Sequence, residues 1–233
     1  MSAGTGVLDP AARDGWSARL WTAMEPAYLA VLAHPFLAGL TDGTLPGEAF
    51  THYVVQDAQY LAEYARALAT LAGRAPTAYD VAVLARHAAG AVEVEMGLHG
   101  GLLSEVGIDA KAMSATPVGP TTHAYTRHLI GAVHSGSFAE GLAAVLPCYW
   151  IYARVGQALV ERGSSEPRYR RWIETYAGEE FAGVVTEVLD LVDRTGPTLT
   201  HDQRATARNE AERSARYEWM FFDAALRQDR WPA

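Results

Sequence analysis

Apolar residues recur every three or four positions along almost the whole of this chain, and nowhere do they alternate over a useful length. That spacing builds helix faces and not strands, so it restricts the chain to an all-α fold. Trp16, Leu20, Met24, Leu29 and Val31 predict a first helix over about 14–33, after which HPFLAGLTDGTLPG reads as a break. Pro46 suits the first turn of a second helix to about Ala72, with Glu48 near its positive end. Thr77 is placed to cap a third, ending near Val106 before Gly107, and a fourth covers about 121–133.

Ser137 and Glu140 have capping-box spacing for a fifth helix reaching about Glu161, with Pro147 expected to kink it. Two shorter helices follow, over about 167–177 and 179–193, and Thr200 with Gln203 opens a last one to about Arg227. No long linker divides the chain. One helical domain over 14–229, preceded by a loose extension over 1–13, is the expected organisation.

Composition narrows the function. A net charge of −8 disfavours a nucleic-acid partner, which calls for clustered Lys and Arg. No apolar run is long enough to span a bilayer, and no secretory leader is recognisable, so a cytoplasmic protein without a membrane partner is expected. The single cysteine, Cys148, rules out an internal disulfide. It follows Pro147 and stands among Tyr149, Trp150 and Tyr152. Two readings are open for it: a small buried hydrophobe, or a nucleophile in an aromatic pocket.

Other positions bear on that choice. Tyr53, Asp57, Tyr60 and Tyr64 share one helix face, which is either solvated or a carboxylate set among phenols. Cys148 and Tyr152 share a face of the fifth helix. Glu218, within RYEWMFFDAAL, lies either at the solvent margin or buried with its pKa raised, as a general acid requires. Glu95 and His99 have ligand spacing, but no matching pair on another helix presents itself, so no metal or other cofactor is expected.

Taken with these positions, HPFLAGLTDGTLPGEAF, YVVQDAQYL, LPCYWIYARVG, YAGEEF and YEWMFFDAA resemble, in order and spacing, the TenA family of thiaminase II or aminopyrimidine aminohydrolases. The resemblance covers about 20–225 and falls on the cysteine-bearing branch. It implies a haem-oxygenase-like helical bundle, a homotetramer and a small-molecule aminopyrimidine or thiamin as substrate. It places the nucleophile at Cys148, the acid/base at Glu218 and a supporting carboxylate at Asp57. Tyr60 and Phe221 match the aromatics that sandwich the pyrimidine, and Tyr125, Tyr152 and Tyr176 match pocket tyrosines. The implied reaction is hydrolysis of 4-amino-5-aminomethyl-2-methylpyrimidine to the hydroxymethyl compound with release of ammonia, a thiamin salvage step, with thiamin hydrolysis as a related activity. Two rivals remain at this point: a pyrimidine-binding or regulatory protein without catalysis, and a metal-dependent oxygenase of the same fold.

Overall fold

The computed structural model describes residues 6–105 and 115–232, and only the backbone at 94–96, 98–100 and 102–105. Among the described residues there are helices and no strands. In chain order they are α1 (Trp16–Leu32), α2 (Pro35–Asp42), α3 (Gly47–Ala72), α4 (Ala78–Glu105), α5 (Pro120–Ser135), α6 (Phe138–Val160), α7 (Pro167–Ala177), α8 (Glu179–Thr195) and α9 (His201–Arg227). α3 packs along α4, and α6 along α9, with α5, α7 and α8 closing the remaining sides. α6 is the central member. Nearly every position from Ala139 to Gly156 is buried, with Glu140, Cys148 and Arg154 only partly so.

Both capping boxes form. Glu140 N–H donates to Ser137 Oγ at 3.3 Å, and Ser137 N–H to Glu140 Oε1 at 3.2 Å. The Thr200 and Gln203 pair is likewise reciprocal, at 3.3 and 2.8 Å. Each box satisfies donors that a helix start leaves without partners. Pro147 lies within an α6 that runs on through it.

The structure corrects the reading of HPFLAGLTDGTLPG as a break, because α2 occupies most of it. Pro35 and Gly43 mark its boundaries, and Gly39 lies within it. His34 Nδ1 accepts from Phe36 N–H at 3.1 Å, Pro35 takes the first helical position, and Gly43 ends the helix with φ of 74°. Phe36, Leu37 and Leu40 are the buried face that holds α2 down. Pro46, expected inside the first turn of α3, is instead the residue preceding it. The end expected at Gly107 lies outside the described residues.

The described part of the N-terminal segment packs against the bundle. Leu8 is in the core, and its carbonyl accepts from Trp150 Nε1–H at 2.8 Å. Arg13 bridges to Asp190 and Asp193, each at 2.8 Å. One buried apolar side chain and one shared guanidinium anchor the segment across α8 and α6. The α6–α7 contact depends on Gly156. A Cβ there would lie 2.5 Å from the carbonyl carbon of Tyr176, so only glycine lets the Tyr176 backbone approach.

Candidate active site

Sequence spacing leaves the α3 face either solvated or turned to the core. Tyr53, Asp57, Tyr60 and Tyr64 all turn inward, and Asp57 is 3% exposed. The solvated alternative is therefore excluded. Tyr53 Oη donates to Tyr152 Oη at 3.1 Å, tying α3 to α6, and Trp172 Nε1–H of α7 donates to Tyr53 at 3.3 Å. Tyr64 Oη donates to the Val145 carbonyl of α6 at 2.9 Å. Phenols with buried partners hold three helices in register here.

Between α3, α4, α6 and the α7–α8 junction lies a cavity of about 540 Å³. Asp57, Cys148, Tyr152 and Tyr176 line it together. Two residues from distant parts of the chain, Asp57 and Cys148, thus share one chamber. Tyr152 and Tyr176 meet with ring centroids 4.8 Å apart. Burial sets the Tyr152 phenol well above its ordinary pKa, and it stays neutral.

The other four residues carried by the resemblance form a second group that is not among the residues lining this cavity. Tyr125 of α5 donates to Glu218 Oε1 of α9 at 2.6 Å. The Tyr60 ring lies 4.9 Å from Tyr125 and 5.8 Å from Phe221. This second group touches the first electrostatically. Burial raises the phenols of Tyr60, Tyr64 and Tyr125 well above their usual value, and the Cys148 sulfur adds to the effect at each.

Glu218 is 2% exposed, so of the two settings open to it the buried one holds. Burial pushes its carboxyl up to about 8, with the Asp57 charge acting in the same direction and the Tyr125 hydrogen bond opposing both. The carboxyl is therefore mainly protonated at neutral pH and can donate a proton inside the bundle.

The cavity also holds residues that sequence reasoning did not select: Tyr149, His87 of α4, Glu187 of α8 and Arg86. His87 Nδ1 lies 3.2 Å from Tyr149 Oη, and Nε2 lies 3.0 Å from Glu187 Oε2. Tyr149 stood next to the cysteine in plain view. His87 and Glu187 occupy unremarkable polar positions, and only the packing of α4 on α8 joins them. No group of three or more His, Cys, Asp or Glu side chains among the described residues is arranged to hold a metal ion. The Glu95 and His99 side chains lie outside the described residues.

The profile of the TENA/THI-4/PQQC family matches residues 21–228. The chain is 38% identical over 198 residues to an aminopyrimidine aminohydrolase of Bacillus subtilis (strain 168), covering 85% of this chain and 84% of that protein. A solved TenA homologue protein from P. horikoshii OT3 superposes with a TM-score of 0.84 at 27% identity, over 92% of this chain and 99% of that one. A Shewanella denitrificans domain with a heme oxygenase-like fold superposes at 0.72 and 14% identity, over 91% and 92% of the two chains, a likeness of fold alone.

Proposed function

Because the chain belongs to the TENA/THI-4/PQQC family, we propose that it hydrolyses 4-amino-5-aminomethyl-2-methylpyrimidine to the 5-hydroxymethyl compound and ammonia, with thiamin as a slower substrate, by covalent catalysis at Cys148. The observation that carries the reading is the shared chamber. The chain's one thiol and the buried Asp57 line the same cavity, with Tyr152 and Tyr176 beside them. That cavity is of ligand size and mostly apolar in its lining, as small-molecule sites are.

The residue types suit the chemistry. The exocyclic amine has no easy departure from an aromatic pyrimidine. Addition of the Cys148 thiolate to ring carbon C6, with a ring nitrogen taking a proton from Glu218, breaks the aromaticity and makes the ring electron-rich. The C–N bond of the protonated aminomethyl group at the adjacent methylene then breaks, its electron pair leaves with nitrogen, and ammonia departs. Water adds to the methylene carbon, the ring returns its proton to Glu218, and the S–C6 bond breaks. One hard displacement becomes two easier steps. A carboxylate beside a thiol opposes thiolate formation by charge repulsion, so Asp57 acts by accepting or orienting the thiol proton. The resemblance assigns Tyr60 and Phe221 to flank the pyrimidine ring and Tyr125 to the pocket, and these three stand with Glu218 next to the cavity that Tyr152 and Tyr176 line.

The test is a panel of 5-substituted 4-amino-2-methylpyrimidines and thiamin, with hydroxymethylpyrimidine and ammonia as readouts. Release is expected from the aminomethyl compound, and more slowly from thiamin. No release from any of them would overturn the assignment in favour of a binding or regulatory protein.

No helix among the described residues is long and apolar enough to cross a membrane. The family resemblance adds a homotetramer in the cytoplasm to the proposal. Exposed Leu29 on α1 and exposed Trp219 and Met220 on the adjoining α9 supply apolar surface for such an assembly. Equilibrium sedimentation is expected to give four times the chain mass, and a stable single chain at micromolar concentration would contradict it.

A further inference from the structure

The chemistry above leaves one proton without a receiver. Glu218 serves the ring, and the water that attacks the methylene carbon must lose a proton at the same moment. Three cavity-lining residues that the reaction has not used stand in hydrogen-bonded order: Tyr149, His87 and Glu187. They run outward from the residue next to Cys148 to a carboxylate whose side chain is 41% exposed.

Hydrogen-bond logic sets the direction of this chain. An ionised Glu187 is an acceptor only, so His87 Nε2 carries the hydrogen that spans the 3.0 Å contact. In a neutral imidazole Nδ1 is then an acceptor, and the Tyr149 hydroxyl donates to it across 3.2 Å. Arg86 Nη2 holds both oxygens of Glu187, at 3.1 and 3.0 Å, and fixes the carboxylate. Burial lowers the His87 pKa despite its contact with Glu187, which keeps the ring neutral and ready to accept.

We propose that Tyr149, His87 and Glu187 form a proton relay that receives the proton lost by the attacking water. The inference rests on the hydrolase reading above. As the O–C bond forms at the methylene carbon, a water proton passes to Tyr149 Oη and the phenol proton passes to His87 Nδ1. The electrons of the breaking S–C6 bond return to sulfur. The imidazolium is stabilised by the Glu187 carboxylate, the same logic by which a carboxylate supports a catalytic histidine in hydrolytic triads. Departing ammonia or solvent then withdraws the proton by the same route, restoring both rings. Tyr149 is the member that meets the reacting water, and His87 and Glu187 are positioning residues acting through it.

The relay is tested with His87→Ala, Tyr149→Phe and Glu187→Gln in the full chain, assayed on 4-amino-5-aminomethyl-2-methylpyrimidine. For His87→Ala and Tyr149→Phe, kcat is expected to fall about 10²-fold with KM changed by less than about threefold, and for Glu187→Gln about tenfold. The His87→Ala space opens onto the cavity, so tens of millimolar imidazole are expected to restore kcat about tenfold or more, which a structural role would not produce. Should His87→Ala fail to fold, Glu187→Gln decides, because its half-exposed side chain can be exchanged for the neutral isostere without repacking. Wild-type kcat in Glu187→Gln, or a His87→Ala loss that imidazole leaves untouched, would overturn the relay while leaving the hydrolase reading in place. An inactive wild type would overturn the hydrolase reading itself, and the relay with it.

Discussion

Cys148→Ala is expected to lower hydrolysis of the aminomethylpyrimidine by about 10³-fold or more while the fold and ring binding persist. The two readings of the cysteine make opposite demands on this variant. As a packing residue, a partly buried thiol beside a cavity would cost modest stability on truncation and leave kcat alone. As a nucleophile, its loss removes the covalent route, and Glu218 and the tyrosines have no bond to C6 to work on. The aromatic surroundings remain in the variant, so bound hydroxymethylpyrimidine should still raise the thermal midpoint, in line with mass action. Iodoacetamide should inactivate the wild type through its single thiol, and the bound pyrimidine should slow that inactivation. Substantial turnover by Cys148→Ala would return the residue to the role of a small hydrophobe.

Legibility in the sequence differs from element to element. Helices α6 and α9 were legible to within a residue or two. A three-to-four spacing and a reciprocal cap are local signals, and both capping boxes formed as spaced. α2 was hidden because the prolines and glycines of this stretch suggest interruption, whereas Pro35 and Gly43 sit at the ends of the helix and Gly39 is accommodated within it. Within the site, sequence spacing grouped Asp57 with Tyr60, and Cys148 with Tyr152, since each pair lies on one helix. Spacing could not say whether the α3 face met water or the core, and burial of Tyr53, Asp57, Tyr60 and Tyr64 settles that only once α6 is packed against it. The His87–Glu187 contact joins α4 to α8 across 100 positions. No local pattern encodes such a contact. It follows from the crossing of two helices, each of which shows only an ordinary polar residue in its own sequence.

Glu218→Gln is expected to cut turnover about 10²-fold or more, to remove an alkaline limb from the pH profile and to leave the protein at least as stable as before. The three effects have one cause. Burial holds the Glu218 carboxyl at about 8, so below that pH it carries the proton the ring must receive, and above it the proton is gone. Wild-type kcat/KM should therefore decline as pH rises past about 8, and the amide, which does not titrate, should show a low rate without that decline. The stability sign follows from linkage. The folded carboxyl binds its proton more tightly than the unfolded one, so its stabilising contribution is complete below the ordinary carboxylate range. It is lost as pH climbs toward about 8. The amide escapes this loss while still accepting the Tyr125 hydroxyl in the place of Oε1. Its thermal midpoint should match or exceed that of the wild type between about pH 5 and 8. A variant with near-normal turnover would make Glu218 a lining residue only. A variant that is slow but also melts early would point to a broken Tyr125 contact as the cause, and only slow turnover in an intact, equally stable fold identifies the carboxyl as the acid.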